Sequence, residues 1–339
     1  VDRTTRIMKK NAVSLVSMAM AATMGGIDSY AFLDPPAPIT PAAARASAKA
    51  ACAYSVARVE GFNRVRPLLY SEPMCESPRF EGLRASVSNL VNDLKASGQV
   101  LSASVYIRDF KQAEWTWYNG DELYDPGSLL KIPLLLTYLS MAEEDPSLME
   151  RTYTCELVDA NVPQHTAFPA AQIQPNVAYT VEQLLEFSIA QSDNRATTLL
   201  MRHVPVPRYV KTYTDLGLPK PDVNARAYPM NVRDYSVFMK ALFNSSFLGP
   251  MRSEYALELM TRSTFTKGLV AGLPQGVDVA HKFGEEGTEL QRQLHEAGLV
   301  YADGNPYLIT VMTRGSNPDS LASAISSISR LVYDRMSVN

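Results

Sequence analysis

Apolar residues recur at helical spacing over 81–97, where Leu83, Val87, Leu90, Val91 and Leu94 fall on one face. The pattern then changes period. Leu101–Ile107 is rich in β-branched and aromatic residues, and Ala113–Tyr118 pairs with it as a predicted hairpin. Beyond Pro126-Gly127, the run Ser128-Leu-Leu-Lys-Ile-Pro-Leu-Leu-Leu-Thr-Tyr-Leu predicts a helix that is apolar nearly all round, hence buried. Thr180 and Gln183 have capping-box spacing at the start of another helix, with Val181, Leu184, Leu185 and Ile189 on its buried face. The chain stays mostly helical to about 262. Strand patterns return at Val277–Phe283, Ala297–Tyr301 and Tyr307–Met312, the last two joined by the turn residues Asp303-Gly304-Asn305. Asn317-Pro318 opens a closing helix whose stripe is Leu321, Ile325, Ile328 and Val332.

This order predicts an α+β fold: an antiparallel sheet assembled from both ends of the chain and flanked by helices, with an all-helical lobe inserted between them. The α/β lobe would comprise 80–125 and 265–339, the helical lobe 126–264, and the cleft between them is the place to expect chemistry.

The first 79 residues read differently. Arg6, Lys9 and Lys10 precede an uncharged apolar run from Ala12 to Ile27, and Ser29-Tyr30-Ala31 supplies small residues for cleavage. Residues 1–31 are therefore expected to be a secretory signal or, failing cleavage, a membrane anchor, making the protein periplasmic or extracellular. Pro35, Pro36, Pro38 and Pro41 and the alanine-rich stretch after them predict a linker or stalk over 32–79.

Composition narrows the function classes. The chain has 339 residues with a net charge of −3, which gives no basic surface for nucleic acid. Its four histidines are scattered and offer no metal-site spacing, so no metal or other cofactor is expected. Cys52, Cys75 and Cys155 are too few for a disulfide framework. One bridge, Cys75–Cys155, or three unpaired thiols are both open.

Three short motifs carry candidate chemistry. In Ser128-x-x-Lys131 the lysine lies one helical turn from the serine, on the same face. A buried lysine loses basicity, and its neutral amine can then take the serine proton. Ser192-Asp193-Asn194 follows the helix capped by Thr180; its hydroxyl could relay a proton and its amide could orient the lysine or substrate. Lys282-Phe283-Gly284 lies on a predicted strand, with a cation for a substrate carboxylate and a glycine that admits close approach. Each motif alone is a common triplet.

Together and in this order they resemble the class A β-lactamases and penicillin-binding proteins. The likeness extends to Tyr179–Thr197, Ala297–Tyr301 and Pro306–Gly315, and covers roughly residues 80 to 339. It implies a β-lactamase/transpeptidase-like fold and a monomeric serine hydrolase acting on a β-lactam or wall peptide. Ser128 would be the acylated nucleophile and Lys131 its base. Ser192 would relay the proton and Asn194 orient; Lys282, Phe283 and Gly284 would line the substrate site. The backbone N–H groups of Ser128 and Glu285 would form the oxyanion hole.

The chain departs from that pattern twice. Phe283 stands where the family usually has a hydroxyl residue. No glutamate occurs between Ser192 and Glu254, where class A enzymes carry the base that activates the deacylating water. Beyond Asp193, the acids there are Asp215, Asp222 and Asp234, of which Asp222 lies in a plausible loop. Slow deacylation of β-lactams is the expectation, with a D-Ala-D-Ala carboxypeptidase/transpeptidase or a non-catalytic sensor of β-lactams or wall fragments as alternatives.

Overall fold

A computed structural model describes residues 52–59, 63–156, 162, 167–223, 225, 227–288, 291–302 and 304–337. The expected signal or anchor segment and the first part of the expected stalk lie outside the described residues. Among those described, no helix is long and apolar enough to cross a membrane.

Five antiparallel strands form the central sheet: β3 (Ser102–Asp109), β4 (Trp115–Tyr118), β7 (Val279–Thr288), β8 (Gln291–Val300) and β9 (Tyr307–Gly315), in the order β4-β3-β9-β8-β7. The pairing of β3 with β9, in which Val105 opposes Val311, joins the two ends of the chain as the periodicity predicts. The helices α1 (Glu81–Ala96) and α8 (Pro318–Met336) cover one face of the sheet. They bury Leu83, Val87, Val91, Ile325, Ile328 and Val332 against Val105, Ile309 and Val311.

The other face receives the helical block: α2 (Lys131–Glu144), α3 (Val181–Ala190), α4 (Asn194–His203), α5 (Val206–Asp215), α6 (Val232–Phe243) and α7 (Pro250–Thr261). Helix α2 runs through its centre and is buried on every side from Lys131 to Leu139, as its uniformly apolar sequence requires. Thr180 and Gln183 cap α3 reciprocally, as their spacing predicts. A small ribbon, β5 (Thr152–Thr154) with β6 (Ala178–Thr180), interrupts the block and was not foreseen; three-residue strands leave no readable alternation.

Two expectations for the N-terminal region are corrected. The stretch 54–73 is an antiparallel hairpin, β1 (Tyr54–Arg58) with β2 (Leu68–Pro73), rather than part of a stalk ending at 79. Cys52 is bridged to Cys75, across the open end of that hairpin, and Cys155 is a buried free thiol, so the Cys75–Cys155 pairing is not formed.

A buried ion cluster fastens the hairpin to the domain. Glu72, 2% exposed, accepts from Arg108 of β3 at 2.6 Å and from Lys240 of α6 at 2.9 Å, with Arg233 at 3.3 Å. Arg233 also stacks over Trp115, and Lys240 over Tyr70. Burial pushes the Glu72 carboxyl up, but Lys240, Arg108 and Arg233 together outweigh it and hold the group below its ordinary value. Glu72→Ala would leave two buried cations without their shared anion, and is expected to cost about 3–5 kcal/mol in urea unfolding. Because the folded pKa is depressed, this stabilisation is complete above the unfolded value of about 4.3 and is lost as pH falls through the folded one. The gap between wild type and variant should therefore narrow in acid.

Candidate active site

The first wall of the site is the turn that opens α2. Gly127 takes a left-handed φ of +52°, and residues 127–130 form one 3₁₀ turn before the α-helix proper starts at Lys131. A Cβ at position 127 would come within 2.5 Å of the Glu285 carbonyl oxygen, so glycine is needed both for the dihedral and for the approach of β7. Ser128 sits in this turn and is 7% exposed.

Side chains of β8 hold the turn from behind. The Asp125 N–H donates to Gln293 Oε1 at 3.1 Å, and His295 Nε2 contacts the Asp125 carbonyl at 2.9 Å. The Thr313 N–H donates to His295 Nδ1 at 3.2 Å, so the proton of the neutral ring resides on Nε2 and is given to Asp125. Complete burial lowers the imidazole pKa to about 3 and keeps the ring neutral. Sequence reading passed over His295, because nothing in its neighbours marks it as reaching a turn 170 residues earlier.

The second wall is the junction between α3 and α4. Ser192 adopts a left-handed φ of +54°, unusual for a residue with a side chain. Asp193 then caps α4, accepting from Arg195 N–H, and also takes the Ile173 N–H, both at 2.8 Å. Lys131 Nζ reaches into this junction. It donates to the Ser192 carbonyl at 2.5 Å and to Asn194 Oδ1 at 2.8 Å, and lies 3.2 Å from Ser192 Oγ. Burial lowers the Lys131 pKa to about 7 against the opposing pull of the Asp193 carboxylate, so its neutral form is abundant at neutral pH.

The third wall is the outer strand β7. Lys282 Nζ donates to Ser192 Oγ at 2.7 Å and to the Phe283 carbonyl at 2.8 Å. Burial, and then the nearby Lys131 charge, lower its pKa well below the ordinary lysine value. Two amines thus converge on one serine hydroxyl. Gly284 follows, and a Cβ there would overlap the Pro126 carbonyl and come within 2.8 Å of Leu129 N. Only glycine lets the strand lie this close to the nucleophile turn, with Glu285 alongside Gly127.

A cavity of about 380 Å³ opens in front of these walls. Ser128, Lys131, Asn194 and Glu285 line it, and Ser192 and Lys282 stand behind Lys131 in the hydrogen-bond chain. Lys282 is fully buried, with these hydrogen bonds made inside the protein. Phe283 is the exception among the expected site residues. Strand alternation turns its side chain away from Gly284, and its ring stacks on Phe265 instead of facing this cavity.

The same cavity is lined by residues that the sequence motifs do not mark: Tyr209, Tyr213 and Tyr228, with Thr197 and Met201. The i, i+4 spacing of Tyr209 and Tyr213 on α5 was the available signal; their hydroxyls meet at 2.9 Å. Burial raises all three phenols above their ordinary value, so they are neutral at pH 7. Of the three acids considered for the missing glutamate, Asp222 lines the cavity. Asp215 is paired with Lys211 on α5, and Asp234 bonds Asn231 at the start of α6.

Comparison with known proteins gives the family and the fold. A sequence model of the "Beta-lactamase enzyme family" matches residues 83–336. A β-lactamase of Bacteroides uniformis is 22% identical over 310 residues, which span 84% of this chain and 99% of that one. Among solved structures, a class A β-lactamase from Bacteroides cellulosilyticus superposes with a TM-score of 0.65 at 18% identity, covering 76% of this chain and 99% of that one. A PBP-A variant, solved as its acyl-enzyme complex with penicillin G, gives 0.61 at 21% identity, covering 74% and 97%.

His295→Ala removes the donor to Asp125 and leaves the Thr313 amide without its acceptor. Loss of that grip should displace Ser128 and slow acylation by about 10²-fold, the usual cost of an ångström-scale misplacement. The rate of adduct formation on Ser128 measures this, and an unchanged rate in the folded variant would show that the turn holds itself.

Proposed function

Given a chain that belongs to the β-lactamase enzyme family, we propose that it is a serine hydrolase whose Ser128 is acylated by β-lactams and deacylates slowly. The observation that carries this reading is the buried Lys131 amine, lowered to a pKa of about 7 and hydrogen-bonded to Ser192 and Asn194 at the edge of the Ser128 cavity.

In the proposed reaction Ser128 Oγ bonds to the substrate carbonyl carbon, and its proton passes to the neutral Lys131 amine. The carbonyl oxygen gains negative charge and is received by the backbone N–H groups of Ser128 and Glu285, which Gly127 and Gly284 allow to lie side by side. The bond to the leaving nitrogen breaks, and Lys131 returns the proton to that nitrogen through Ser192. Lys282, donating to Ser192 Oγ, polarises the relay. Asn194 fixes the Lys131 amine. Water then attacks the ester, releasing the acid and restoring Ser128.

Slow release is the expectation because the loop glutamate that would activate the water is missing from the sequence. The lining tyrosines are neutral phenols, Asp222 is the one lining acid among the candidates for the missing glutamate's role, and a missing general base typically slows its step about 10²–10⁴-fold. The relatives named as β-lactamases, and the PBP-A variant captured with penicillin G on it, support acylation by a β-lactam. The Cys52–Cys75 bridge supports export, because disulfides persist in oxidising compartments.

Intact mass after mixing with penicillin G tests the reading. A single adduct that persists for many minutes is expected, with Ser128→Ala giving none. Rapid return to the unmodified mass with released acid would instead assign an efficient β-lactamase, and no adduct would remove the β-lactam reading.

A further inference from the structure

Lys282 and Phe283 together change what the end of the cleft can bind. The Lys282 ammonium is fully buried; its bonds go to Ser192 Oγ and the Phe283 carbonyl, and the Phe283 ring covers it at 4.3 Å. A separate cavity of about 170 Å³ has Phe168, Phe265 and Phe283 as its aromatic wall, with Thr264, Thr266 and Lys267 as its polar lining. Phe265 stacks on Phe283 with centroids 4.3 Å apart, and Phe168 stands edge-on to both rings, 4.9 Å from Phe265 and 6.2 Å from Phe283. Lys267, which lines the cavity, lies 5.1 Å from the Phe168 ring centroid and makes an exposed pair with Asp319 at 2.9 Å. A cavity of this size and lining suits one benzene-sized group.

The position along β7 gives the pocket its place in the reaction. This strand pairs on one side with β8, leaving its other edge towards the cleft. Phe283 precedes Glu285 by two residues, or about 7 Å at a strand rise of roughly 3.3 Å per residue. The Phe283 carbonyl is linked through Lys282 to Ser192, the hydroxyl that serves the leaving atom. Phe168 and Ala170 also line a small cleft together with Ser192, which connects the rings to that hydroxyl.

We propose that the Phe168–Phe265–Phe283 pocket is a subsite for an aromatic-sized apolar group on the leaving side of the scissile bond. The preferred substrates are then esters, thioesters or amides with an uncharged apolar leaving group, rather than ones carrying a carboxylate there. A strained lactam ring can still acylate Ser128 without that contact. The inference rests on Ser128 as the nucleophile.

Two thioesters of N-acetylglycine, one of 2-phenylethanethiol and one of 3-mercaptopropionate, test it on the full chain. In each, Ser128 Oγ takes the acyl carbon, the C–S bond breaks, the thiol leaves with the proton, and water frees N-acetylglycine. Thiol release should favour the phenylethyl ester by at least tenfold in kcat/KM. Phe283→Thr should cut that ratio about tenfold by opening the Lys282 ammonium. Phe168→Ala, at a half-buried position that disturbs the core less, should lower it by loss of the phenyl ester's rate. A ratio of one or below, or a ratio that neither substitution moves, overturns the subsite. Ser128→Ala separates the two levels. If it is inactive on both thioesters, such a result overturns the pocket alone. If it keeps full turnover, the nucleophile assignment fails and the inference with it.

Discussion

The site depends on one buried hydroxyl shared by two amines. Ser192 Oγ lies 3.2 Å from Lys131 Nζ and 2.7 Å from Lys282 Nζ, and the three come from the helix α2, the α3–α4 junction and the strand β7. Burial lowers the Lys131 pKa to about 7, and burial followed by the Lys131 charge lowers that of Lys282, so a neutral amine is available near pH 7. The rest of the fold serves to keep it. Helix α2 is buried on all sides so that its first residue is too, and Ser192 is held in a left-handed conformation with Asp193 tied to both α4 and Ile173. Gly127 and Gly284 let β7 close against the nucleophile turn.

Strong, long periodic segments were legible from the residues: α1, α2, α3, α8, β3, β4 and β9 fall near where their periods place them, whereas β7 runs on to Thr288 and β8 starts at Gln291, six residues before the expected Ala297. So was the convergence of Ser128, Lys131, Ser192 and Lys282, because three motifs in one order constrain each other. What stayed illegible depends on distant partners. Glu72 looks like any polar residue in a short segment until Arg108 and Lys240 arrive around it from far along the chain. His295 acts through a backbone carbonyl, which carries no sequence signature. The hairpin β1–β2 has strands of five and six residues, with exposed Tyr54, Val56 and Leu68, and so lacks a clear buried face.

Phe283 joins the two halves of the picture. A missing hydroxyl was visible in the sequence as a departure, but its consequence was not. The ring turns away from the Ser128 cavity, joins Phe265 and Phe168, and covers the Lys282 ammonium. Phe283, where a hydroxyl residue is expected, thus forms part of an aromatic wall. The hydrogen bonds that join Lys131 to Ser192 and Asn194 do not involve the Phe283 side chain.

The pH dependence of acylation, followed by stopped-flow with a chromogenic β-lactam at fixed ionic strength, tests the shared-hydroxyl arrangement most directly. Lys131 acting as a neutral base predicts a rate that rises through a midpoint near 7 and then levels, as its ammonium loses a proton. A midpoint near 10, where an ordinary lysine titrates, or a rate flat from pH 5 to 9, would contradict it.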